Sequence, residues 1–229
     1  MTDLSTVPPP ADRPTEPRAR RAPAARGGGE PRFRLDAVWR GLTAFVRREG
    51  EARGKRIELV ATGGEIEVAA PSAEALRTAL SDLVRNAVDH GVETPAARLG
   101  AGKAALAVLR LSARRTGASV EVTLADDGRG IDPERMRAQC AADGRLTAAD
   151  AEGLGARPVQ GLAFDSGAAA SRAAGPLERS RGAGLARVRA AVQAAGGGVA
   201  LASAPGRGAA FTLTVPADGP YAGRDRTAA

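Results

Sequence analysis

Three groups of residues in this 229-residue chain have types and spacings suited to chemistry. The first lies on the helical segment from Pro71 to Gly91. At about 100° per residue, Leu76, Leu80, Leu83, Val84, Ala87 and Val88 form an apolar stripe there, and Arg77, Ser81 and Arg85 fall on a solvent side. Asp82, Asn86, Asp89 and His90 make a third strip. An ordinary surface helix needs two faces, so carboxylate, amide and imidazole groups beside the core mark the wall of a pocket. The second group is Asp126-Asp127-Gly128-Arg129-Gly130, which directly follows an alternating strand. A buried carboxylate at a strand end accepts a hydrogen bond from an adenine amino group and repels the guanine carbonyl, and Gly128 and Gly130 remove side-chain bulk there. The third is Arg181-Gly182-Ala183-Gly184. Glycines opening a helix let backbone N–H groups approach phosphate oxygens, where the helix dipole favours negative charge. An amide oxygen such as that of Asn86, joined by triphosphate oxygens, suits Mg²⁺.

These groups must be positioned by a folded domain, and the composition permits one. Hydrophobic residues are 43% of the chain and charged residues 26%, so a core can form, while an aromatic share of 3% means it is built from Ala, Val and Leu. The length allows one ordinary domain with tails. Neither a long apolar run nor a hydrophobic signal region is present, so the chain reads as soluble and cytoplasmic, without membrane insertion. One cysteine and one histidine exclude an internal disulfide and a zinc site. The +7 charge is not the mark of a nucleic-acid partner: +3 of it lies in residues 1–34, and base-stacking aromatics are scarce.

Residues 2–32 are rich in Pro, Arg and Gly and read as a disordered tail. Leu35, Val38, Trp39, Leu42, Phe45 and Val46 recur at helical spacing to about Arg53, and pairing of this helix with a second chain is left open. Arg56–Ala61 and Glu65–Ala69 read as a hairpin through Gly63-Gly64, and Ser72 reads as the N-cap of the next helix. Leu106–Ala113 and Ser119–Ala125 are expected to be central strands, with Val120, Val122 and Leu124 facing the core. Asp132-Pro133 caps a further helix. Residues 143–181 read as a long mobile loop, Gly182–Ala195 as a helix, and Val199–Ser203 and Ala210–Val215 as the closing strands. Residues 217–229 form a tail.

The run from Asp82 through Asn86, Asp89, His90 and Pro95 to Lys103 resembles the N box and following loop of the GHKL superfamily of ATP-binding domains, and within it the CheA-like chemotaxis histidine kinases. Asp126–Asp132 resembles the first glycine box, Arg181–Gly184 the second, and Gly206-Arg207-Gly208 with Phe211 the last. The likeness spans residues 33–216. It implies an α+β fold, a two-layer Bergerat-type sandwich with helices packed on one face of a mixed sheet, and a lid at about 143–181. It also implies ATP and Mg²⁺ as ligands. Asn86 would bind the metal, Asp89 and His90 would support the phosphates, and Asp126 would read adenine. Gly128 and Gly130 would make room for the base, and Arg181, Gly182 and Gly184 would hold the phosphates.

The sequence departs from that family at several of these positions. Asp82 stands where the N box has His, Ser180 replaces a glycine, and Ala209 a threonine. Ser166–Ala170 lacks the aromatic and hydroxyl groups of the family's lid motif. Asp82 is left with alternative roles, a base acting on water or an inert replacement that repels phosphate. Arg172, Arg179 and Arg181 either neutralise phosphate or are solvated. The only histidine, His90, sits in the N box, so the resemblance implies transfer of the γ-phosphate in trans to a phosphotransfer or response-regulator protein of a two-component system. The alternatives are a nucleotide-sensing module, an ATPase and an anti-sigma-type Ser/Thr kinase on the same scaffold.

Overall fold

The computed structural model describes residues 31–142, 147, 162–165 and 176–219, without the side chains of 139, 142, 162, 165 and 176–183. Short β1 (Arg32–Arg34) leads into α1 (Leu35–Glu51), followed by β2 (Ile57–Thr62), β3 (Glu67–Ala69) and α2 (Ala70–Asn86). A π-helical turn, Ala87–Gly91, continues α2. Next come α3 (Pro95–Gly100), β4 (Ala107–Thr116), β5 (Ser119–Asp126), α4 (Pro133–Ala142), a 3-10 turn at Leu162–Asp165, α5 (Pro176–Ala194), β6 (Gly198–Ser203) and β7 (Ala209–Pro216).

The main sheet has the order β2-β4-β5-β7-β6, with β2 parallel to β4 and every other pairing antiparallel. Period-two alternation turns Val120, Val122 and Leu124 of β5, and Phe211, Leu213 and Val215 of β7, onto the same buried face. The helices cover that face. Leu76, Leu80, Leu83, Val84 and Val88 of the α2 stripe are all buried in the shared core, as the helical period requires. Among the described residues no helix is long and apolar enough to cross a membrane.

Several expectations are corrected. Arg56–Ala61 and Glu65–Ala69 do not form a hairpin. β2 pairs with β4 and β3 pairs with β1, because the carbonyls of Gly64 and Ile66 turn away to accept the first N–H groups of α1, from Asp36 at 2.8 Å and Leu35 at 2.9 Å. Ser72 is not an N-cap: α2 starts at Ala70, and the buried Ser72 hydroxyl donates to the Pro216 carbonyl at 2.7 Å. The ordered domain also extends beyond the expected 33–216. Arg32 enters β1, and Ala217 is fully buried and donates its N–H to Ala118 at 2.8 Å.

The apolar stripe of the expected Leu35–Arg53 helix is largely used within this domain, with Val38 and Phe45 only partly buried. Leu35, Trp39, Leu42 and Val46 are buried in this domain's own core, each apolar side chain contributing about 1.5–3 kcal/mol on burial. The expected tail at residues 2–32 lies outside the described residues up to Glu30, as does most of the expected lid.

Candidate functional site

β5 delivers two adjacent carboxylates whose fates follow from strand alternation. Asp126 shares the inward face of Val120, Val122 and Leu124, while Asp127 turns the other way. Asp126 lines an apolar cavity of about 260 Å³ with Asn86, Ala87, His90, Gly91, Ile131, Met136, Ala163, Leu185 and Phe211. Its Oδ1 accepts the Gly128 N–H at 2.9 Å. Burial pushes the Asp126 carboxyl up from its ordinary range, helped by the nearby charges of Asp127 and Glu93. Hydrogen bonds from the backbone of Gly128 and Ala209 oppose the shift.

The glycines around Asp126 act through backbone packing. A Cβ at Gly128 would lie 2.3 Å from the Gly91 carbonyl oxygen, and one at Gly130 would lie 2.0 Å from that of Ala204. The space left by Gly128 is therefore taken by chain from the N-box turn, rather than reserved for a base, whereas Gly130 also borders the cavity. The Gly91 carbonyl accepts from Arg129 N–H at 2.9 Å, tying the loop after β5 to the end of α2.

A second, polar cavity of about 490 Å³ adjoins the first and is lined by Asp82, Arg85, Asn86, Asp89, His90, Gly184 and Arg187. Asn86 and His90 belong to both walls. The four residues of the polar strip thus face one space, joined by Arg85, which the helical wheel put on the solvent side. The π-helical turn re-aims Asp89, His90 and Gly91, and Val92 N–H closes it onto the Ala87 carbonyl at 2.8 Å. Lys55 Nζ donates to the Val88 carbonyl, and at 3.3 Å to that of Asp89. Burial, together with the charge of Arg129, pulls the Lys55 ammonium down from its ordinary value.

The acids of the polar cavity already have partners. Asp89 pairs with Arg53 Nε, and Asp82 pairs with Arg187 through Nε at 3.0 Å and Nη2 at 2.8 Å. The Asn86 side chain has no hydrogen-bond partner among the described residues. Both oxygens of the Asp82 carboxylate are thus engaged by Arg187 in this arrangement.

The glycine-rich segment departs from expectation. α5 begins at Pro176, so Arg181, Gly182 and Gly184 lie inside a helix and do not open one. Proline is well suited to a first helical position, which favours the earlier start. Backbone N–H groups within a helix are taken by carbonyls four residues earlier, so this segment is no ready-made anion cradle. Gly184 borders the polar cavity, while the side chain of Arg181 lies outside the described residues, as do Arg172, Arg179 and Ser166–Ala170. A Cβ at Gly184 meets nothing within 4 Å. Gly184→Ala should therefore stabilise the fold by about 0.5–1 kcal/mol, raising the thermal midpoint by about 1–4 °C. A lower midpoint in scanning calorimetry would exclude this helical arrangement.

Sequence reasoning missed the support behind Asp126. Arg98 is only 1% exposed. It donates from Nε to the Ala104 carbonyl at 2.7 Å, from Nη1 to Glu93 at 3.3 Å and from Nη2 to Asp127 Oδ2 at 2.9 Å. Lys103 joins Glu93 at 2.9 Å and the Gly128 carbonyl at 2.6 Å. Charged residues around Gly100 and Gly102 read as loop, and no periodicity marks them as buried. The one sequence signal was the pair Asp126-Asp127, of which only one member can face the cavity.

Phe164 was missed as an anchor as well. It lies within the expected lid, yet it is buried edge-on against Phe211 at 6.2 Å, under the Arg189 guanidinium at 5.1 Å. Its neighbour Ala163 closes one side of the apolar cavity.

Residues 72–219 match the family of histidine kinase-, DNA gyrase B- and HSP90-like ATPases. The chain is 36% identical over 179 residues to the chemotaxis protein CheA of Rhizobium meliloti, covering 78% of this chain and 23% of that protein. It is 35% identical over 182 residues to the gliding motility regulatory protein of Myxococcus xanthus, covering 80% and 23% respectively. The chain spans about a quarter of the length of these relatives. Among solved structures it resembles the mycobacterial sensor histidine kinase MprB, with a TM-score of 0.51 and 17% identity over 83% of this chain and 97% of that one. The catalytic domain of the histidine kinase ThkA in a nucleotide-free form gives a TM-score of 0.50 and 14% identity, covering 82% and 95%. The chain belongs to the histidine kinase-, DNA gyrase B- and HSP90-like ATPase family, and within it resembles the CheA-type kinases.

Proposed function

We propose that this domain binds ATP with Mg²⁺ and transfers the γ-phosphate to a histidine of a separate partner protein in bacterial two-component signalling. The observation that carries the reading is the pair of joined cavities: an apolar one with the buried Asp126, a polar one with Asp82 and Arg187, and Asn86 with His90 between them. The apolar lining of the first suits an adenine ring, whose amino group would have the Asp126 carboxylate to meet. The polyphosphate then runs past Asn86, whose side chain has no hydrogen-bond partner among the described residues and whose amide oxygen would take the metal. Among the described residues no cluster of three acidic, His or Cys side chains could hold an ion. Mg²⁺ would therefore draw most of its oxygens from phosphate and water, which suits its chemistry. The only histidine, His90, is part of the cavity wall, which supports an acceptor supplied from outside this domain. Positioning and charge neutralisation would do most of the catalytic work.

Titration calorimetry with Asp126→Asn tests the base assignment. Affinity for ATP should fall at least tenfold, about 1.4 kcal/mol, and an unchanged affinity would refute the role. Stability supplies a second readout. The Asp126 carboxyl titrates above its ordinary range, so the folded state binds its proton more readily than the unfolded chain does. That contribution favours folding below the unfolded value and is lost as pH rises through the raised one. At neutral pH the ionised acid is thus a burden on the fold, and Asp126→Asn should not lower the thermal midpoint. Acceptor chemistry is read separately: phosphate on the partner should be acid-labile and base-stable, whereas acid-stable phosphate would indicate Ser or Thr.

A further inference from the structure

The ion pair between Asp82 of α2 and Arg187 of α5 spans the polar cavity, and its two members differ in solvation. The Asp82 side chain is 12% exposed and that of Arg187 57%. The carboxylate is thus fixed in the wall, while the guanidinium reaches it from solvent and holds it by a two-pronged contact. Pairs with so exposed a member are held weakly and exchange partners readily. A phosphoryl group presents the same two-oxygen geometry to a guanidinium as a carboxylate does, with more charge.

Position along α2 decides which phosphate could compete. Asp82 lies one helical turn, about 6 Å, before Asn86, on the side away from Gly91 and the apolar cavity. With its base beside Asp126 and its phosphates passing Asn86, a nucleotide would bring its outermost phosphate nearest to Asp82. Of the other charged groups facing that space, Asp89 is paired with Arg53, and Arg85 lies over the Phe45 ring at 5.8 Å. Among the described residues Arg187 is the cation best placed to meet the terminal phosphate, and Asp82 is the anion that would oppose it.

We propose that Asp82 and Arg187 form an exchange clasp, in which Arg187 leaves Asp82 for the terminal phosphate of a bound nucleoside triphosphate, so that this pair makes the site prefer triphosphate to diphosphate. The inference rests on the nucleotide reading above. No covalent bond changes in the exchange, and the proton stays on the guanidinium.

Titration calorimetry of the full chain with ATP, ADP and adenosine, each with Mg²⁺, tests the clasp. Arg187→Met should weaken ATP about tenfold while leaving ADP and adenosine unchanged, and Arg187→Lys should recover part of the loss. Asp82→Asn, which removes the competing anion, should strengthen ATP and leave ADP as it was. Equal losses for ATP and ADP in Arg187→Met, or no loss at all, would overturn the clasp, as would weaker ATP binding in Asp82→Asn. Thermal midpoints of each variant separate misfolding from altered binding, and the exposure of Arg187 makes a folding defect at that position unexpected. If wild type binds ATP and Asp126→Asn loses it while Arg187→Met does not, the clasp fails and the nucleotide reading stands. Wild type that binds none of the three ligands overturns both.

Discussion

Replacing Arg98 with methionine should destabilise the domain by about 3–5 kcal/mol, enough to lower the thermal midpoint on the order of 10 °C. The side chain is 1% exposed and surrounded by acceptors: the carbonyl of Ala104 and the carboxylates of Glu93 and Asp127. Methionine fills much of the same volume, so the loss is electrostatic rather than a cavity effect. The Glu93 carboxylate, 12% exposed, would keep only Lys103 as a cation, and the Asp127 carboxylate only the Val108 N–H at 3.2 Å. Burial tends to raise the Glu93 carboxyl, but its hydrogen bond to Lys103, a backbone hydrogen bond and the charges of Lys103 and Arg98 hold it below the ordinary range. A carboxyl lowered in this way stabilises the fold above its unfolded value of 4.5, and that stability is lost as pH falls through the lowered one. The variant should therefore lose part of the wild-type stability difference between neutral and acid pH, as read by urea melts across that range. Arg98→Lys keeps the charge but not the planar fork, and should fall between the two. A variant as stable as wild type would show that the network does not brace the Asp126 loop.

Gly208→Ala is expected to be comparably damaging, for a reason that involves no charge. Gly208 has φ +82, and a Cβ there would lie 1.9 Å from the carbonyl oxygen of Asp126. The obstacle is the backbone of the cavity's own carboxylate residue, which cannot swing aside as a flexible side chain would. Relief requires the β6–β7 connection to move away from the end of β5, breaking the contact of Ser203 Oγ with the Gly208 carbonyl at 2.7 Å and displacing Asp126. A destabilisation on the order of 3 kcal/mol is expected, accompanied by loss of the proposed ATP binding. Gly206 is the matched control: its φ is +75, but a Cβ there meets nothing within 4 Å. Gly206→Ala should show only the left-handed backbone penalty of about 1 kcal/mol. Equal midpoints for the two alanine variants would refute the steric argument.

Much of this architecture was legible because it is written in short periods. The 3.6-residue spacing of Leu76, Leu80, Leu83 and Val84 and the alternation of Val120, Val122 and Leu124 fixed which faces are buried, and the structure buries them. The same alternation carries on to Asp126, which is why a strand-end carboxylate could be assigned to the interior. The likeness over residues 82–103 and 126–132 identified the family before any coordinates. Asn86 and Asp126 were singled out separately, from segments 40 positions apart, and both line one cavity.

What only the folded molecule decided depends on contacts between segments remote in sequence. Local signals made Gly63-Gly64 a hairpin turn, but strand pairing is a competition, and the carbonyls of that segment serve α1 instead. Glycine at 182 and 184 suggested a helix start, yet the helix begins at Pro176. Glycine in a sequence reports only permission; at 128 and 208 the use made of it is close backbone approach, which no local pattern encodes. Charge partners were equally invisible. Asp82 finds Arg187 across 105 positions, and Arg98 finds Asp127 across 29, because an ion pair needs proximity in space and leaves no period along the chain. The sequence by itself determined the family and the buried faces of its helices and strands. The tertiary structure decided which charges are neutralised within the pocket, since electrostatic energy depends on distances that exist only after the chain has closed on itself.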